Sequence, residues 1–344
     1  MRAVTFAKPG AVEVTDKPVP ELAPDEVLVK IGGAGLCHSD LHILHMPADS
    51  PLIGRTLGHE SAGWVERLGE QVTGFAVGDA VLVSLIWGCG QCAQCLAGRD
   101  NLCEATGDRT RMPKSPGIGP EGGMAEFIAV KARLLDPIGS LDPVDAAPLA
   151  DAALTPMHAI NSVRHRLTSD ATVVTIGLGG LGHLGLQILA ATTGARIIAL
   201  DTDEAKLAAA PGHGADIALK SDGEAAAKIL ELTGGLGADV VLDFVGVQPT
   251  VDLATAVIAS GGSLRFVGLG GGSFPYVAGT GSLPWGVNVE RSFGGTRSEQ
   301  REVIALAQAG KIAADIVRYP LEDAPRAFAD LEAGRVPGRA VLIP

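Results

Sequence analysis

The stretch from residue 172 to residue 201 constrains this chain more than any other. Thr172-Val173-Val174-Thr175-Ile176 is a near-continuous apolar run, the pattern of a parallel strand covered on both faces. Gly177-Leu178-Gly179-Gly180-Leu181-Gly182 follows at once, then a helical pattern over 183–191 and a second apolar strand over 196–200 that ends at Asp201. In this order the glycines have separate duties. Gly177 permits a tight turn, Gly179 lets the backbone approach a pyrophosphate, and Gly182 lets helix and strand pack closely. The helix N-terminus then attracts the phosphates. Asp201, nineteen residues beyond Gly182, is placed to hydrogen-bond ribose hydroxyls and to repel a 2′-phosphate. Thr202-Asp203-Glu204 bring no arginine beside it, so the pattern favours NAD over NADP. A glycine-rich turn in some other α/β fold is the competing reading. Strand-like segments at 217–219, 240–243 and 264–267, with helical segments between them, extend the alternation into a doubly wound parallel sheet.

The preceding residues have a different texture. Short strands at 3–6, 12–14, 27–31, 62–66, 80–83 and 124–130 are punctuated by proline and glycine, as in an irregular antiparallel barrel. Two groups of metal-binding side chains interrupt them. The first is Cys37-His38-Ser39-Asp40-Leu41-His42 with Gly58-His59-Glu60. Thiolate and imidazole suit zinc, and Asp40 can accept a hydrogen bond from the other nitrogen of a ligated His59. Ser39 and His42 add a hydroxyl and an imidazole able to pass a proton. Two ligands do not complete a site, and taken singly Cys37 and His59 read equally well as core residues.

The second group is Cys89, Cys92, Cys95 and Cys103. Three cysteines two residues apart and a fourth after a short lobe can wrap one tetrahedral ion with no position left open. An iron–sulfur reading competes, but the bacterial ferredoxin pattern has a shorter last gap followed by proline, and here Glu104 follows. Farther on, Asp142-Pro143 reads as an N-cap and first turn opening a helical stretch that delivers Asp151 and Thr155. After Gly268 the chain enters a loop rich in glycine, proline and serine up to Trp285. A strand-like stretch at 288–293, helices near 299–309 and 324–334, and a strand at 340–342 finish it.

At 344 residues the chain exceeds one ordinary core, so two domains are expected. A net charge of −12 argues against a nucleic-acid or anionic-membrane partner. The first residues show no apolar signal core, and no apolar run reaches membrane-spanning length. Five cysteines, an odd number, without an export signal favour metal ligation over disulfides and the cytoplasm as compartment.

With these motifs in this order the chain resembles the zinc-dependent medium-chain alcohol dehydrogenase family over essentially its whole length, and within it the bacterial NAD-dependent secondary-alcohol dehydrogenases. The resemblance implies an α/β two-domain protein: a GroES-like, β-rich catalytic domain built from residues 1–151 and 294–344, and a doubly wound parallel-sheet Rossmann domain at 152–293. It assigns a catalytic zinc to Cys37, His59 and Asp151, with Glu60 as a close neighbour or exchanging ligand, and a structural zinc to the four-cysteine lobe. Asp40 matches the residue holding His59, Ser39 the hydroxyl that meets the substrate oxygen, and His42 the outer end of a proton relay. His38 stands where many relatives place a pyrophosphate-gripping arginine. Gly177, Gly179, Gly180, Leu181, Gly182 and Asp201 match the cofactor motif. Thr155, Val267 and Leu269 match positions beside the nicotinamide, Val245 a cofactor-binding position, and Arg297 a cofactor phosphate contact. Trp87, Leu269 and Phe293 match pocket walls, and Gly294 replaces a bulkier residue, which would enlarge the pocket. A homodimer or homotetramer is implied, with 288–293 as an edge able to pair across a two-fold axis.

Two rivals stand beside this reading. A polyol, threonine or formaldehyde dehydrogenase would use the same scaffold with polar or anionic pocket partners, whereas the pocket candidates here are apolar. A zinc-stabilised NAD sensor without catalysis would have lost a catalytic ligand or the relay hydroxyl, and Cys37, His59, Asp151 and Ser39 are all present.

Overall fold

The alternation of short apolar runs with glycine and proline resolves, in a computed structural model, into strands placed in chain order: β1 (Arg2–Lys8), β2 (Ala11–Asp16), β3 (Glu26–Leu36), β4 (Glu60–Leu68), β5 (Ala80–Val83), β6 (Phe127–Lys131), β7 (Leu135–Pro137), β8 (Thr172–Ile176), β9 (Arg196–Asp201), β10 (Ile217–Lys220), β11 (Ala238–Asp243), β12 (Ile258–Phe266), β13 (Asn288–Arg291), β14 (Ile316–Pro320) and β15 (Arg339–Ile343). The structure describes residues 1–281 and 283–344. They divide into two units, Met1–Leu154 with Gly294–Pro344, and Thr155–Phe293.

In the first unit the long strand β3 is the organising element. Its sheet runs in the order β14-β15-β3-β4-β5-β7, with β6 also paired to β3. All of these pairs are antiparallel except β14 with β15. The apolar residues of β3 alternate with glycines because other elements pass close to it. A Cβ on Gly33 would lie 2.8 Å from the Val144 backbone, and one on Gly35 would lie 2.0 Å from a Glu60 carboxylate oxygen. The register sets Leu36 against Ala340 and Gly35 against Glu60. The end of β3, the start of β4 and the start of β15 therefore meet at one corner of the sheet. Val4, Phe6, Val29, Leu36, Val65, Val83, Met124 and Leu342 are among the side chains that fill the core.

Helix ends follow the capping chemistry. Asp142 accepts from the Val144 N–H at 2.9 Å and Pro143 opens the helix Pro143–Ala146, as expected. The helix Arg297–Gln308 starts two residues earlier than the apolar periodicity indicated. Its N-cap is Thr296, which exchanges hydrogen bonds with Glu299 in a capping box.

In the second unit the sheet order is β10-β9-β8-β11-β12-β13, parallel throughout. Chain order runs outward from β8 in one direction through β10 and from β11 in the other through β13. The topological switch point lies between β8 and β11, where open α/β sheets bind their ligands. Val174, Ile176, Ile198, Leu200, Val241 and Leu264 form the buried centre of this sheet. β13 is an edge strand, covering the first four residues of the expected 288–293 stretch. No helix among the described residues is long and apolar enough to cross a membrane.

One surface clasp closes the first unit between residues distant in sequence. Glu121 accepts from Lys17 Nζ at 2.8 Å, from the Thr56 N–H at 2.8 Å and from Arg55 Nη1 at 3.2 Å. Partial burial would raise its pKa, but the Lys17 and Thr56 hydrogen bonds prevail and hold it at about 2, below the ordinary 4.5. The depressed value means that the stability it contributes is present above about pH 4.5 and fades as pH falls toward 2. Glu121→Gln is expected to cost up to about 1 kcal/mol at pH 7, the range of half-exposed pairs. Denaturant midpoints measured from pH 7 to pH 3 should show wild type and variant converging as acid is added.

Candidate active site

At the corner where β3, β4 and β15 meet, three side chains converge. Cys37 directly follows β3, His59 precedes β4, and Asp151 follows the tight helical turn Ala147–Ala150. Cys37 Sγ lies 3.6 Å from Asp151 Oδ2, and His59 Nε2 lies 3.4 Å from the same oxygen. All three residues are buried. Both ring nitrogens of His59 are buried without a hydrogen-bond partner. A buried polar atom left in that condition costs about 1–3 kcal/mol, so the arrangement demands a partner. The separations fit a zinc ion: tetrahedral bonds of about 2.0–2.3 Å place ligand atoms about 3.3–3.8 Å from one another. Burial opposes charging the His59 ring, yet the neighbouring Asp40 and Asp151 carboxylates raise its pKa well above the usual value. The surroundings attract positive charge.

Asp40 serves two purposes. Its Oδ2 accepts the Cys37 N–H at 2.9 Å, fixing the start of the helix His38–Leu44, and its Oδ1 lies 3.5 Å from His59 Nδ1. A carboxylate so placed orients the imidazole with Nε2 toward Cys37 and Asp151. The helix His38–Leu44 has no counterpart in the sequence analysis, because its short run of mixed residues lacks helical periodicity.

Glu60 is not one of the converging three. Its oxygens accept from Arg339 Nε at 2.8 Å, from Arg339 Nη2 and from the Ala152 N–H at 2.9 Å. Burial pushes the Glu60 carboxyl up, against the pull of Arg339. Arg339 itself is fully buried, which would lower its pKa, but Cys37, Glu60 and Asp151 hold it firmly charged. The sequence reading missed Arg339. Its signal was one arginine opening an otherwise apolar strand.

The other candidate metal group lies in the lobe after β5. Cys89, Cys92, Cys95 and Cys103 bring their sulfurs within 4.8 Å of one another, with Cys89–Cys95 at 4.0 Å and Cys92–Cys103 at 3.9 Å. These are the edges of a tetrahedron, and no pair is bonded. The N–H groups of Gln91 and Cys92 point at Cys89 Sγ, and the Cys89 N–H points at Cys103 Sγ. Such donors stabilise thiolates, the form that binds metal.

In the second unit Gly177 has φ +89°, and a Cβ there would lie 2.3 Å from the Val245 side chain. A Cβ on Gly182 would lie 1.8 Å from the Gly177 carbonyl, so the helix Gly182–Thr192 reaches the strand only through glycine. A Cβ on Gly179 would meet nothing within 4 Å, leaving its backbone open to a ligand. Gly180 and Leu181 complete the loop. Asp201 ends β9 with Oδ2 accepting the Leu178 N–H at 2.7 Å and Oδ1 accepting the Asp203 N–H at 3.0 Å. It therefore also ties the glycine loop to the second strand.

The remaining expected residues are distributed as follows. Ser39 is half-buried, its hydroxyl 3.7 Å from Cys37 Sγ, and His42 is exposed one turn farther along the same helix. His38 is exposed at the helix start. Thr155 and Val267 are buried, Val245 and Phe293 half-buried, and Leu269 is 52% exposed. Trp87 donates its indole N–H to the Ser84 carbonyl and lines a cavity of about 350 Å³ with Met1, Lys17, Pro18 and Phe127. Arg297 donates to Asp136 Oδ1 at 2.7 Å and to the Leu135 carbonyl, an engagement with its own unit that no motif foretold. Gly294 adopts φ +53° with Ile86 3.2 Å from where a Cβ would stand. Glycine there answers a backbone turn and close packing, where an enlarged pocket was expected.

A buried Cys-His-Asp corner on one unit and a glycine-loop dinucleotide sheet on the other define a metal-dependent dehydrogenase. The domain family described as alcohol dehydrogenase GroES-like domain matches residues 23–140, and that described as zinc-binding dehydrogenase matches residues 180–309. An NAD-dependent alcohol dehydrogenase of Sulfurisphaera tokodaii is 35% identical, covering 100% of this chain and 99% of its own length. A D-arabinose 1-dehydrogenase (NADP(+)) of Saccharolobus solfataricus is 34% identical, covering 98% and 95%. The crystal structure of the alcohol dehydrogenase from Aeropyrum pernix superposes with a TM-score of 0.90 at 34% identity, covering 100% of both chains. The chain belongs to the zinc-dependent medium-chain alcohol dehydrogenase family.

The two metal groups should respond differently to substitution. Cys92→Ser is expected to remove one metal per chain and to lower the melting temperature by several degrees, since a closed site contributes folding energy. His59→Ala is expected to remove the other metal and abolish turnover while the chain still folds, with its own drop in melting temperature from the uncompensated Cys37 and Asp151. Elemental analysis alongside calorimetry checks both.

Proposed function

We propose that the chain interconverts secondary alcohols and ketones with NAD, using one zinc held by Cys37, His59 and Asp151 and a second, structural zinc held by Cys89, Cys92, Cys95 and Cys103. The observation that carries the reading is the convergence of Cys37 Sγ, His59 Nε2 and Asp151 Oδ2 around the unpartnered His59 nitrogen. Three protein ligands leave a fourth position for a substrate oxygen. When bound, the zinc supplies a Lewis acid for that oxygen and the nicotinamide supplies the acceptor or donor of hydride.

The chain's own residues do the rest. Ser39, beside Cys37, relays the proton: its hydroxyl takes up the proton leaving the alcohol oxygen as its own proton passes on toward His42, and the reverse transfer serves ketone reduction. His42, three residues on, shares a helix face with Ser39 and is exposed, so it passes that proton to solvent. Asp40 holds His59 in the orientation that aims Nε2 inward. Gly177, Gly179 and Gly182 admit the cofactor pyrophosphate, Asp201 accepts from the ribose hydroxyls, Thr155, Val267 and Leu269 flank the nicotinamide, and Val245 is a further cofactor contact. The apolar character of Trp87, Leu269 and Phe293 supports a simple hydrophobic substrate. The D-arabinose relative supports a second reading, a polyhydroxy substrate on the same scaffold, which needs polar pocket partners that these positions do not supply. Four cysteines committed to a metal and none to a disulfide fit a reducing cytoplasm.

A panel of secondary alcohols, polyols and aldoses, followed by absorbance of reduced cofactor, should give the highest kcat/KM with apolar secondary alcohols; preference for an aldose would reject the substrate assignment. Within that assay Ser39→Ala should lose about 10²–10⁴-fold in kcat, the scale of a general acid–base contribution. His42→Ala should lose less, chiefly in alcohol oxidation below neutral pH, with partial rescue by added imidazole. An unchanged pH–rate profile in that variant would remove His42 from the relay.

The NAD assignment has its own test. Asp201→Gly with Thr202→Arg should raise kcat/KM for NADP relative to NAD, and a wild type that already prefers NADP would overturn it. We further propose a homodimer or homotetramer in which the edge strand β13 pairs with a second copy across a two-fold axis. Light scattering at assay concentration should return a multiple of the chain mass; a monomer mass would rule this out.

A further inference from the structure

Glu60 presents a chemical problem. It follows the ligand His59 directly, it is fully buried, and a carboxylate is a natural zinc ligand. Nothing in its own chemistry keeps it from filling the fourth position, which would close the site to substrate. Its surroundings do. Gly35, the cross-strand partner of Glu60, leaves a hollow into which one carboxylate oxygen fits, since a Cβ on Gly35 would lie 2.0 Å from that oxygen. The Ala152 N–H holds the other oxygen at 2.9 Å. The Arg339 guanidinium then covers both oxygens with Nε and Nη2, the forked geometry that only arginine provides.

Arg339 is the single lysine or arginine in the buried set of its unit among the described residues. Its Nη2 also lies 3.6 Å from Asp151 Oδ2, the oxygen that faces both Cys37 and His59. It stands between the non-ligating carboxylate and the ligating one. We propose that Arg339 is a positioning residue that holds Glu60 out of the metal's ligand set, so that the fourth position stays open to substrate. The inference rests on the metal reading of Cys37, His59 and Asp151. Without Arg339, Glu60 is a buried anion beside Asp151, and the metal is the nearest charge that can neutralise it. A residue that served stability alone would produce no such exchange of ligands.

Cobalt-loaded enzyme tests this through its visible absorption, a readout independent of turnover. The difference spectrum between each variant and the same variant carrying His59→Ala isolates this site from the four-cysteine one. Titration with imidazole then reports whether the fourth position is open. Wild type and Glu60→Gln should both shift on imidazole binding with similar affinity. Arg339→Gln should bind cobalt yet lose imidazole affinity by about 10–100-fold, the scale seen when outer partners of metal ligands are removed. The double variant Glu60→Gln/Arg339→Gln should recover most of it. If Arg339→Gln does not fold, Arg339→Lys, which keeps the charge and loses the fork, should show a smaller loss in the same direction. Imidazole affinity unchanged in the folded arginine variant would overturn the inference, as would markedly tighter binding in Glu60→Gln alone, which would make Glu60 a ligand already. A wild-type difference spectrum without cobalt bands would overturn the metal reading itself, an outcome distinct from either.

Discussion

Burying negative charge is the constraint on which the first unit depends. Asp40, Glu60 and Asp151 are all buried around one corner together with the Cys37 thiol, where an uncompensated carboxylate would cost several kcal/mol. The fold answers in two ways. Arg339 neutralises Glu60 through a fork, and Cys37, His59 and Asp151 converge as a group able to hold a metal ion. Each answer imposes geometry on the backbone. Gly35 must lack a side chain so that Glu60 can sit against β3, and the register of β15 on β3 must bring Arg339 to the same corner. Asp40 must cap the helix His38–Leu44 in the conformation that also leaves an oxygen facing His59. The arrangement of strands at this corner is the arrangement that balances its charges.

The second unit is governed by proximity. The Gly182 position lies so close to the Gly177 carbonyl that any side chain there would collide with backbone, and Gly177 in turn lies against Val245. Those contacts place the N-terminus of the helix Gly182–Thr192 directly over the end of β8. Asp201 then ties the glycine loop to β9 through the Leu178 N–H. The residue expected to read the cofactor ribose therefore also shapes the loop expected to hold its pyrophosphate. A substitution at Asp201 acts on both, which is why cofactor preference is compared as a ratio and not as an absolute rate.

Much of this was legible in the sequence where the chemistry is local. The strand–glycine–helix run, the four clustered cysteines and the Asp142-Pro143 helix start each depend on residues within a few positions of one another, and spacing alone exposes them. The doubly wound architecture followed from the alternation of strands and helices, and the GroES-like one from the family resemblance that these motifs carry. What stayed hidden depends on partners remote in sequence. Arg339 and Glu60 are separated by 279 positions, and nothing near either one announces the other. Arg297 meets the Asp136 carboxylate, 161 positions away, a contact that nothing near either residue announces. Strand β14 and the short helix at His38–Leu44 escaped notice because tertiary packing, and not periodicity, decides them. The positive φ of Gly294 is likewise a property of the backbone that its sequence neighbours do not reveal.

The central place of β15 in the sheet of the first unit bears on how the protein is made. The second unit is continuous from Thr155 to Phe293, so on the ribosome all of its strands are available before the last fifty residues are synthesised. The first unit is not. Its sheet lacks an inner strand, and its acidic corner lacks Arg339, the one buried lysine or arginine of the unit among the described residues, until residues 339–343 have left the exit tunnel. Domains fold as units during synthesis when their sequence is complete. The nucleotide-binding sheet therefore precedes the metal-binding one in time, although most of the latter lies upstream in the message.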